Sequence, residues 1–472
     1  MRTLFILVMV TIFSLVLTSC GGGKPKKSEE MKPKAAFTGA KGEVKLITLD
    51  PGHFHAALVQ KNMYDQISPE AFVYAPTDGF DLKAHLKLVE GYNSRAENPT
   101  AWKEKVYTGA DYFDKMIAEK PGNLVILAGN NRIKTDYIRK SVEAGLNVLS
   151  DKPMVTTPEK FSELEEAFKI AQEKGVLLSD IMTERYEVTT TLQKELSQLP
   201  EIFGQLQPGS AEKPAVEKIS VHHFYKTVSG ATLVRPAWYL DVDQQGEGIV
   251  DVTTHLVDLV QWECFPNQAI QKTDIEMISA KHWPTILTKD EFKNITQLNE
   301  YPDFLKKDVK GDKLNVFANG EMMYKIKGAF AKVSVEWHYK APEGGGDTHY
   351  SIMRGSNCNL MIKQGKEEKF DPTLYIIANE GTDLGLFAGN LEKAVVQDLP
   401  QTGLGLQKVN KDTWKVVVPE SYKDGHEAHF ALVAKKFLGY LKDGKVPATE
   451  VQNMITKYYT TTAALKLARE TK

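Results

Sequence analysis

Residues 123–153, NLVILAGNNRIKTDYIRKSVEAGLNVLSDKP, decide how the chain reads. Asn123–Gly129 is a short apolar run ending in glycine, the pattern of a strand buried on both faces of a parallel sheet. It opens into Asn130-Asn131-Arg132, and apolar residues at helical spacing then predict an amphipathic helix over Thr135–Ala144. Gly145 caps that helix, and Asn147-Val148-Leu149-Ser150 is a further short strand, which delivers Asp151-Lys152-Pro153. A second helix, Pro158–Lys174, ends at Gly175 before the strand Val176–Ser179.

Upstream, the strand Val44–Leu49 runs straight into Asp50-Pro51-Gly52-His53-Phe54-His55-Ala56-Ala57. A tight turn feeding a helix here is the phosphate-cradling element of a dinucleotide fold. Of its three glycine positions only the middle one, Gly52, survives; Asp50 and His55 occupy the outer two. His53 and His55 suit either donors to a phosphate or simple turn and packing residues. Ala71–Ala75 is a further strand, and Asp78 is the acidic residue nearest its end, where ribose hydroxyls would be held.

A second informative stretch is Gly246–Asp258, GEGIVDVTTHLVD. A helix from about Ile249 places Asp251 and His255 one turn apart, with Asp258 following on the same face. The glycines let backbone approach a ligand at the helix entrance. A carboxylate and an imidazole converging there suit proton transfer from a hydroxyl. The same spacing also describes a buried helix whose polar face carries an Asp and a His.

The order strand, AGNN turn, helix, strand, DKP, helix, strand resembles the Gfo/Idh/MocA oxidoreductases, the glucose-fructose oxidoreductase and inositol dehydrogenase group. Their signature here is Glu-Lys-Pro, a small residue and threonines; Asp151-Lys152-Pro153-Met154-Val155-Thr156-Thr157 matches it with Asp for Glu. Their second signature is a triple-glycine entrance, then Asp, three residues, His, two residues, Asp. Gly246-Glu247-Gly248, Asp251, His255 and Asp258 reproduce it with one glycine lost. The resemblance runs from Val44 to the C-terminus. It implies an α/β protein: a Rossmann-like doubly wound domain over 44–186, and an α+β domain over 187–472 with a large, mostly antiparallel open sheet and C-terminal helices.

The resemblance also implies roles. Lys152 would orient the substrate hydroxyl and help remove its proton, with a pKa that neighbours and desolvation can lower. His255 would be the principal acid/base, and Asp251 its partner or a substrate clamp. Asp50, Gly52, His53 and Phe54 would lie against the pyrophosphate and adenosine side, Asn130 and Asn131 near the nicotinamide ribose, with Asp151 and Lys152 completing the cofactor-facing set. NAD is the expected cofactor and NADP the second choice, since no Arg cluster follows the second strand.

In the second half, Glu217–Tyr225 alternates as a strand, which sends His222 and His223 to opposite faces. Arg235, Trp238 and Tyr239, just before the second motif, offer a sugar a stacking face and a hydrogen-bond fork; a hydrophobic hinge accounts for Trp238 equally well. Strands are expected at Ile275–Lys281, Lys313–Phe317, Glu321–Ile326, Ala331–Tyr339, Thr348–Arg354 and Asn359–Lys363, and helices at Gly425–Leu441 and Val451–Thr471. His426-Glu427-Ala428-His429 is not a zinc-binding HExxH, because its second His comes one residue early; it reads as helix surface, and no metal is expected.

The chain begins with Arg2 and an apolar run, Leu4–Leu17, that is too short for a spanning helix and reads as a secretory signal. Leu17-Thr18-Ser19-Cys20 resembles a bacterial lipobox, which implies cleavage before Cys20 and lipidation of it. Residues 21–43, rich in Gly, Lys, Pro, Ser and Glu, read as a flexible tether. Gly21 in place of Asp points to the outer membrane facing the periplasm. With 59 basic and 61 acidic residues and no basic tract interleaved with aromatics, nucleic acid is not an expected partner. Cys264 and Cys358 are too few for a disulfide framework.

The expected function is therefore a lipid-anchored, NAD(P)-dependent oxidoreductase of the cell envelope acting on a sugar, glycoside or polyol. It would hold its cofactor tightly and form homo-oligomers through the outer face of the open sheet. Two alternatives stand beside it: an NAD-dependent glycosidase that oxidises its substrate transiently, and a non-catalytic carbohydrate-binding lipoprotein on the same scaffold.

Overall fold

The computed structural model describes residues 37–228 and 231–471. The signal segment, Cys20 and the tether up to residue 36 lie outside the described residues. The tether, expected to run to residue 43, stops before it: Phe37 packs against a core cluster, and the Glu43 carboxylate accepts from the amides of Thr38, Gly39 and Ala40 at 2.9–3.1 Å. Among the described residues, no helix is long and apolar enough to cross a membrane.

Six parallel strands form the first sheet: β1 (Leu46–Leu49), β2 (Glu70–Ala75), β3 (Lys103–Thr108), β4 (Leu124–Leu127), β5 (Asn147–Asp151) and β6 (Leu178–Ile181). Their order is β3-β2-β1-β4-β5-β6. β1 and β4 are buried at every position, as apolar strands covered on both faces must be. The covering helices are α1 (His55–Leu58), α2 (Phe80–Ser94), α3 (Tyr112–Glu119), α4 (Lys134–Glu143) and α5 (Phe161–Lys174). α1 has only four residues. β6 starts two residues later than expected because the Val176 amide is spent on the C-terminus of α5, donating to Ala171 O. The expectation also lacked β3, whose sequence KEKVYT is charged and half-exposed at the sheet edge.

After α6 (Val188–Ser197) the second sheet begins with β7 (Val216–Tyr225). A small hairpin, β8 (Thr227–Val228) and β9 (Ala231–Thr232), then leads to α7 (Val242–Gln245) and α8 (Thr253–Cys264). The sheet is completed by β10 (Ile275–Leu287), β11 (Val309–Lys310) and β12 (Lys313–Ile326), with α9 (Lys289–Thr296) between the first two. β13 (Ala329–Lys340), β14 (Thr348–Arg354), β15 (Cys358–Gln364), β16 (Thr373–Ala378), β17 (Gly405–Lys408) and β18 (Thr413–Val417) follow, with α10 (Leu384–Lys393) inserted before β17. The order is β10-β12-β13-β7-β14-β15-β16-β18-β17, with β11 on β12. β7 and β13 run parallel, whereas the other pairs are antiparallel.

β12 is one strand where two were expected, because its Gly320 is a seat and not a turn. A Cβ at Gly320 would lie 2.6 Å from the Ile249 Cβ, and one at Gly248 would lie 1.8 Å from the Ala318 oxygen. The glycines thus let the segment before α8 lie directly on the backbone of β12.

The last two helices, α11 (His426–Asp443) and α12 (Ala448–Glu470), belong less to the second half than expected. Phe430, Val433, Ala434, Phe437 and Leu441 of α11 complete a core beside β1 and β4. In α12, Met454 and Tyr458 join the core of the first sheet while Ala464, Leu465 and Ala468 join that of the second. α12 also carries Lys457, fully buried, which bonds Asp180 at 2.6 Å and Asp258 at 2.8 Å.

Candidate active site

The strand order reverses between β1 and β4, so a crevice opens at their carboxyl ends, the usual ligand position in such sheets. Two cavities lie there, on either side of the turn after β1. One of about 820 Å³ is lined by His53, Phe54, His55, Asn131, Asp151, Lys152, Tyr239 and His255, among others. The other, about 510 Å³, is lined by Asp50, Pro51, Asp81, Trp238, Leu298 and Phe304, among others. Both sizes suit a small ligand.

The two motifs meet in the larger cavity. β5 ends at Asp151, and the next residue, Lys152, puts Nζ 2.6 Å from Asp251 Oδ1. Gln245 Nε2 donates to the other oxygen, Asp251 Oδ2, at 3.1 Å. Gly246, at φ +95°, turns the chain where a Cβ would lie 2.9 Å from Thr156 Cγ2, so the motifs also touch through backbone. Asp251 differs from expectation twice. It lies in an irregular turn, since α8 begins only at Thr253, and its partner is Lys152, with no bond to His255. It is the counter-ion of the lysine.

Lys152 is also not lowered, as was expected of it. Burial presses its pKa down, but Asp251 and Asp151 outweigh burial and the net shift is upward. The group that enters the cavity is an ammonium, a donor. His255 is its complement: burial, and next Lys152, push its pKa down to about 3, so the imidazole is neutral and its Nδ1 has no hydrogen-bond partner. Asp258, expected on the same face, turns the other way. It accepts from Arg185 Nε at 2.6 Å and Nη2 at 2.7 Å, and from Lys457 Nζ at 2.8 Å, and these cations hold its carboxyl low against the effect of burial.

The turn after β1 divides its residues between the cavities. Asp50, at φ +48°, accepts from Tyr137 Oη at 3.0 Å and lines the smaller cavity. Gly52 is where the two sides approach most closely: a Cβ there would lie 3.2 Å from Trp238 Cζ2 and 3.3 Å from the Asn130 amide. His53 and Phe54, expected against the pyrophosphate and adenosine side, line the larger cavity, just before α1 begins at His55. Asp151 accepts from His55 Nδ1 at 2.9 Å. Burial would raise the Asp151 carboxyl, but His55, Lys134 and His53 together hold it low. Asn130 is committed to Gln244 Oε1 at 2.7 Å, whereas Asn131, with Nδ2 on Gln245 O, keeps a buried Oδ1 without a partner.

Of the three expected sugar contacts, Tyr239 and Arg235 line the larger cavity. Arg235 reaches both cavities, but its Nε and Nη2 donate to the main-chain oxygens of Phe224 and His223, and its guanidinium lies 4.4 Å from the Tyr239 ring centre. It braces the wall more than it offers a fork. Trp238 is on the other side altogether: its Nε1 donates to Asp81 Oδ2 at 2.9 Å and its ring roofs Gly52.

The structure adds residues that sequence reasoning missed. Asp81 joins Asp50 as a carboxylate of the smaller cavity, whereas the exposed Asp78 does not line it. Burial pushes its pKa up to about 6, and its Oδ1 is buried without a partner. Its place in the first turn of α2, past the end of β2, hid it. His426 and His429, read as helix surface, line the larger cavity, and His426 Nδ1 lies 3.2 Å from Glu184 Oε1.

Two sequence profiles match the chain: "Oxidoreductase family, NAD-binding Rossmann fold" over residues 75–180 and "Putative oxidoreductase C terminal domain" over residues 192–469. A crystal structure described as a "putative oxidoreductase" from Parabacteroides merdae is 57% identical, covers 93% of this chain and 100% of its own, and has a TM-score of 0.90. The chain belongs to the Gfo/Idh/MocA oxidoreductases. More distant solved structures share the fold: levoglucosan dehydrogenase, in complex with NADH and levoglucosan, has a TM-score of 0.58 at 12% identity, over 90% of this chain and 97% of its own. GenD2 from gentamicin A biosynthesis, in complex with NAD, has a TM-score of 0.53 at 13% identity, over 94% and 98%. No curated protein sequence matches the chain.

This Gfo/Idh/MocA chain is thus an NAD-binding oxidoreductase. Its crevice fits the dinucleotide by an independent criterion. Asp81 Oδ1 in the smaller cavity and Asn131 Oδ1 at the larger are buried acceptors without partners among the described residues, which hydroxyls such as those of the NAD riboses would satisfy.

Proposed function

We propose that the protein oxidises, or in reverse reduces, a carbinol carbon of a sugar, glycoside or polyol, with Lys152, Asp251 and His255 handling the proton. The observation that carries this reading is the pairing of a charged Lys152 with a neutral, unpartnered His255 in one cavity. NAD, when bound, supplies the hydride acceptor. The Lys152 ammonium donates to the substrate oxygen and stabilises negative charge that builds on it. The neutral His255 imidazole accepts the hydroxyl proton. Asp251 holds the lysine charged and in place. Tyr239, with Arg235 and Trp337 behind it, presents a ring edge suited to a sugar.

Tight retention of NAD is part of the proposal, and Trp238 supports it. With Leu298, Pro302 and Phe304, all from the second half of the chain, it covers the cavity that ends at Asp81. A roof of this kind slows escape of the adenosine half. We further propose export as a lipoprotein anchored through Cys20 in the outer membrane, facing the periplasm, with assembly into homo-oligomers. A cofactor retained through export, and recycled within the site, suits a compartment that supplies no free nucleotide.

The test is to incubate the purified protein with a panel of glycosides and follow the nicotinamide absorbance, with His255→Ala as control. Reduction of bound NAD by a glycoside, lost in the variant, is the expected result. Release of a free sugar with no net redox change would favour the glycosidase alternative. Carbohydrate binding that survives Lys152→Ala without any redox signal would favour the binding protein.

A further inference from the structure

Beside Lys152 lies a cluster that the oxidation chemistry does not use. His53 and His55 come from the turn after β1, and Asp151 from the end of β5, and one donor atom of each lies within 4.8 Å of the others. We propose that His53, His55 and Asp151 bind one divalent transition-metal ion, of the zinc or manganese class, whose open positions take an oxygen of the substrate. The site itself goes beyond the function proposed above and does not depend on the dinucleotide; the ligand class rests on that reading.

The geometry needs little change. Ligand atoms about 2.1 Å from one ion stand about 3–3.5 Å apart. His55 Nδ1 and Asp151 Oδ2 are already 2.9 Å apart, so an ion replaces the proton they share, and closure by His53 completes the set. Two imidazoles and a carboxylate with free positions are the donor set of open, substrate-accepting metal sites. All three residues line the larger cavity, which gives the ion both an entry path and a face toward Lys152 and His255. His55 is pre-positioned, with its ring 4.7 Å from that of Phe430. Lys134 Nζ bonds the main-chain oxygen of Asp151 at 3.2 Å and steadies the strand end.

Two lysines nearby oppose a cation: Lys152 is paired with Asp251 at 2.6 Å, and Lys134 Nζ is turned to the main-chain oxygen of Asp151. The competing account is that His55 and Asp151 merely tie the turn to β5. It accounts less fully for His53, a partly exposed ring on the cavity wall that packs on Phe54 and His55 at 4.6 and 4.0 Å and accepts from the His55 amide at a long 3.4 Å.

The full chain, stripped with chelator, is titrated with Co²⁺ while the visible absorption of the ion and the heat of binding are followed. One Co²⁺ per chain with a ligand-field band is expected. His53→Ala and Asp151→Asn should each weaken binding at least ~10-fold, and His222→Ala, whose ring stacks on Trp337, should leave it unchanged. If Asp151→Asn does not fold, His53→Ala decides alone, since that ring anchors no core cluster. Absence of saturable binding at one equivalent, or unchanged affinity in His53→Ala, overturns the proposal. NAD content measured on the same samples separates this outcome from failure of the oxidoreductase reading.

Discussion

Lys152 Nζ and Asp251 Oδ1, 99 residues apart in sequence, lie 2.6 Å apart, and this one bond joins the strand end of the first sheet to the turn that enters α8. The pair decides the protonation of the site, because Asp251 and Asp151 together override the burial of the lysine.

Asp251→Asn should therefore lower kcat/KM at least tenfold, or ~1.4 kcal/mol, and move the alkaline limb of the pH profile to lower pH. The sign follows from the upward shift. A lysine whose folded pKa exceeds its unfolded value contributes its full stability below the unfolded pKa and loses it as pH rises through the folded one. With the carboxylate gone, burial lowers the pKa and the ammonium is lost earlier. A pH profile of the variant with an unmoved alkaline limb would contradict the role given to Asp251.

His255→Gln should reduce kcat by about 10²–10⁴-fold, the usual worth of a general base, while NAD remains bound. The variant also has a stability signature. The folded pKa of His255, about 3, is depressed below the unfolded value, so its stabilising contribution is present above about pH 6.5 and is lost as pH falls toward 3. Thermal unfolding of the variant between those limits should depend less steeply on pH than that of the parent. Buried His85 and half-buried His349, each pushed down to about 4, keep some acid sensitivity in both proteins.

Arg185→Met should destabilise without removing any group from the cavity. Asp258 and Glu450 would each lose a buried partner at 2.6–3.1 Å, and breaking such pairs costs about 3–5 kcal/mol. Urea unfolding should show the loss as a lower midpoint, with NAD stoichiometry in the folded protein unchanged.

Trp238→Ala should open the roof over Gly52 and Asp81. The dissociation rate of NAD should rise at least tenfold, ~1.4 kcal/mol in affinity if association is unchanged. Stopped-flow displacement by a fluorescent dinucleotide analogue measures this, and an unaltered rate would remove Trp238 from the retention mechanism.

What was legible in the sequence follows a physical divide. Strands β1 and β4, buried at every position and nearly all apolar, and the helix after Asn131 announce themselves through local pattern, and the resemblance carried by the two motifs implies the rest of the doubly wound fold. The charged edge strand β3 has no such pattern. Gly320 looks like a turn until Ile249 is seen resting on it. Lys152, Asp251 and His255 were legible as residues, but the partnership of Asp251 with the lysine was not, because α8 starts two residues after it. Trp238, which suited a sugar contact and a hinge equally well, lines the smaller cavity over Gly52, a position with no sequence signature. The cluster of His53 and His55 with Asp151 joins residues 96 apart in the pair that bonds, so no spacing rule for metal ligands could find it.

The most direct test of the account is to purify the protein without added cofactor, denature it and quantify nicotinamide dinucleotide in the supernatant by absorbance and mass. About one NAD per chain is predicted, from a cavity lined by Asp81 and roofed by Trp238. An empty supernatant, together with failure of the native protein to bind added NAD, would contradict it.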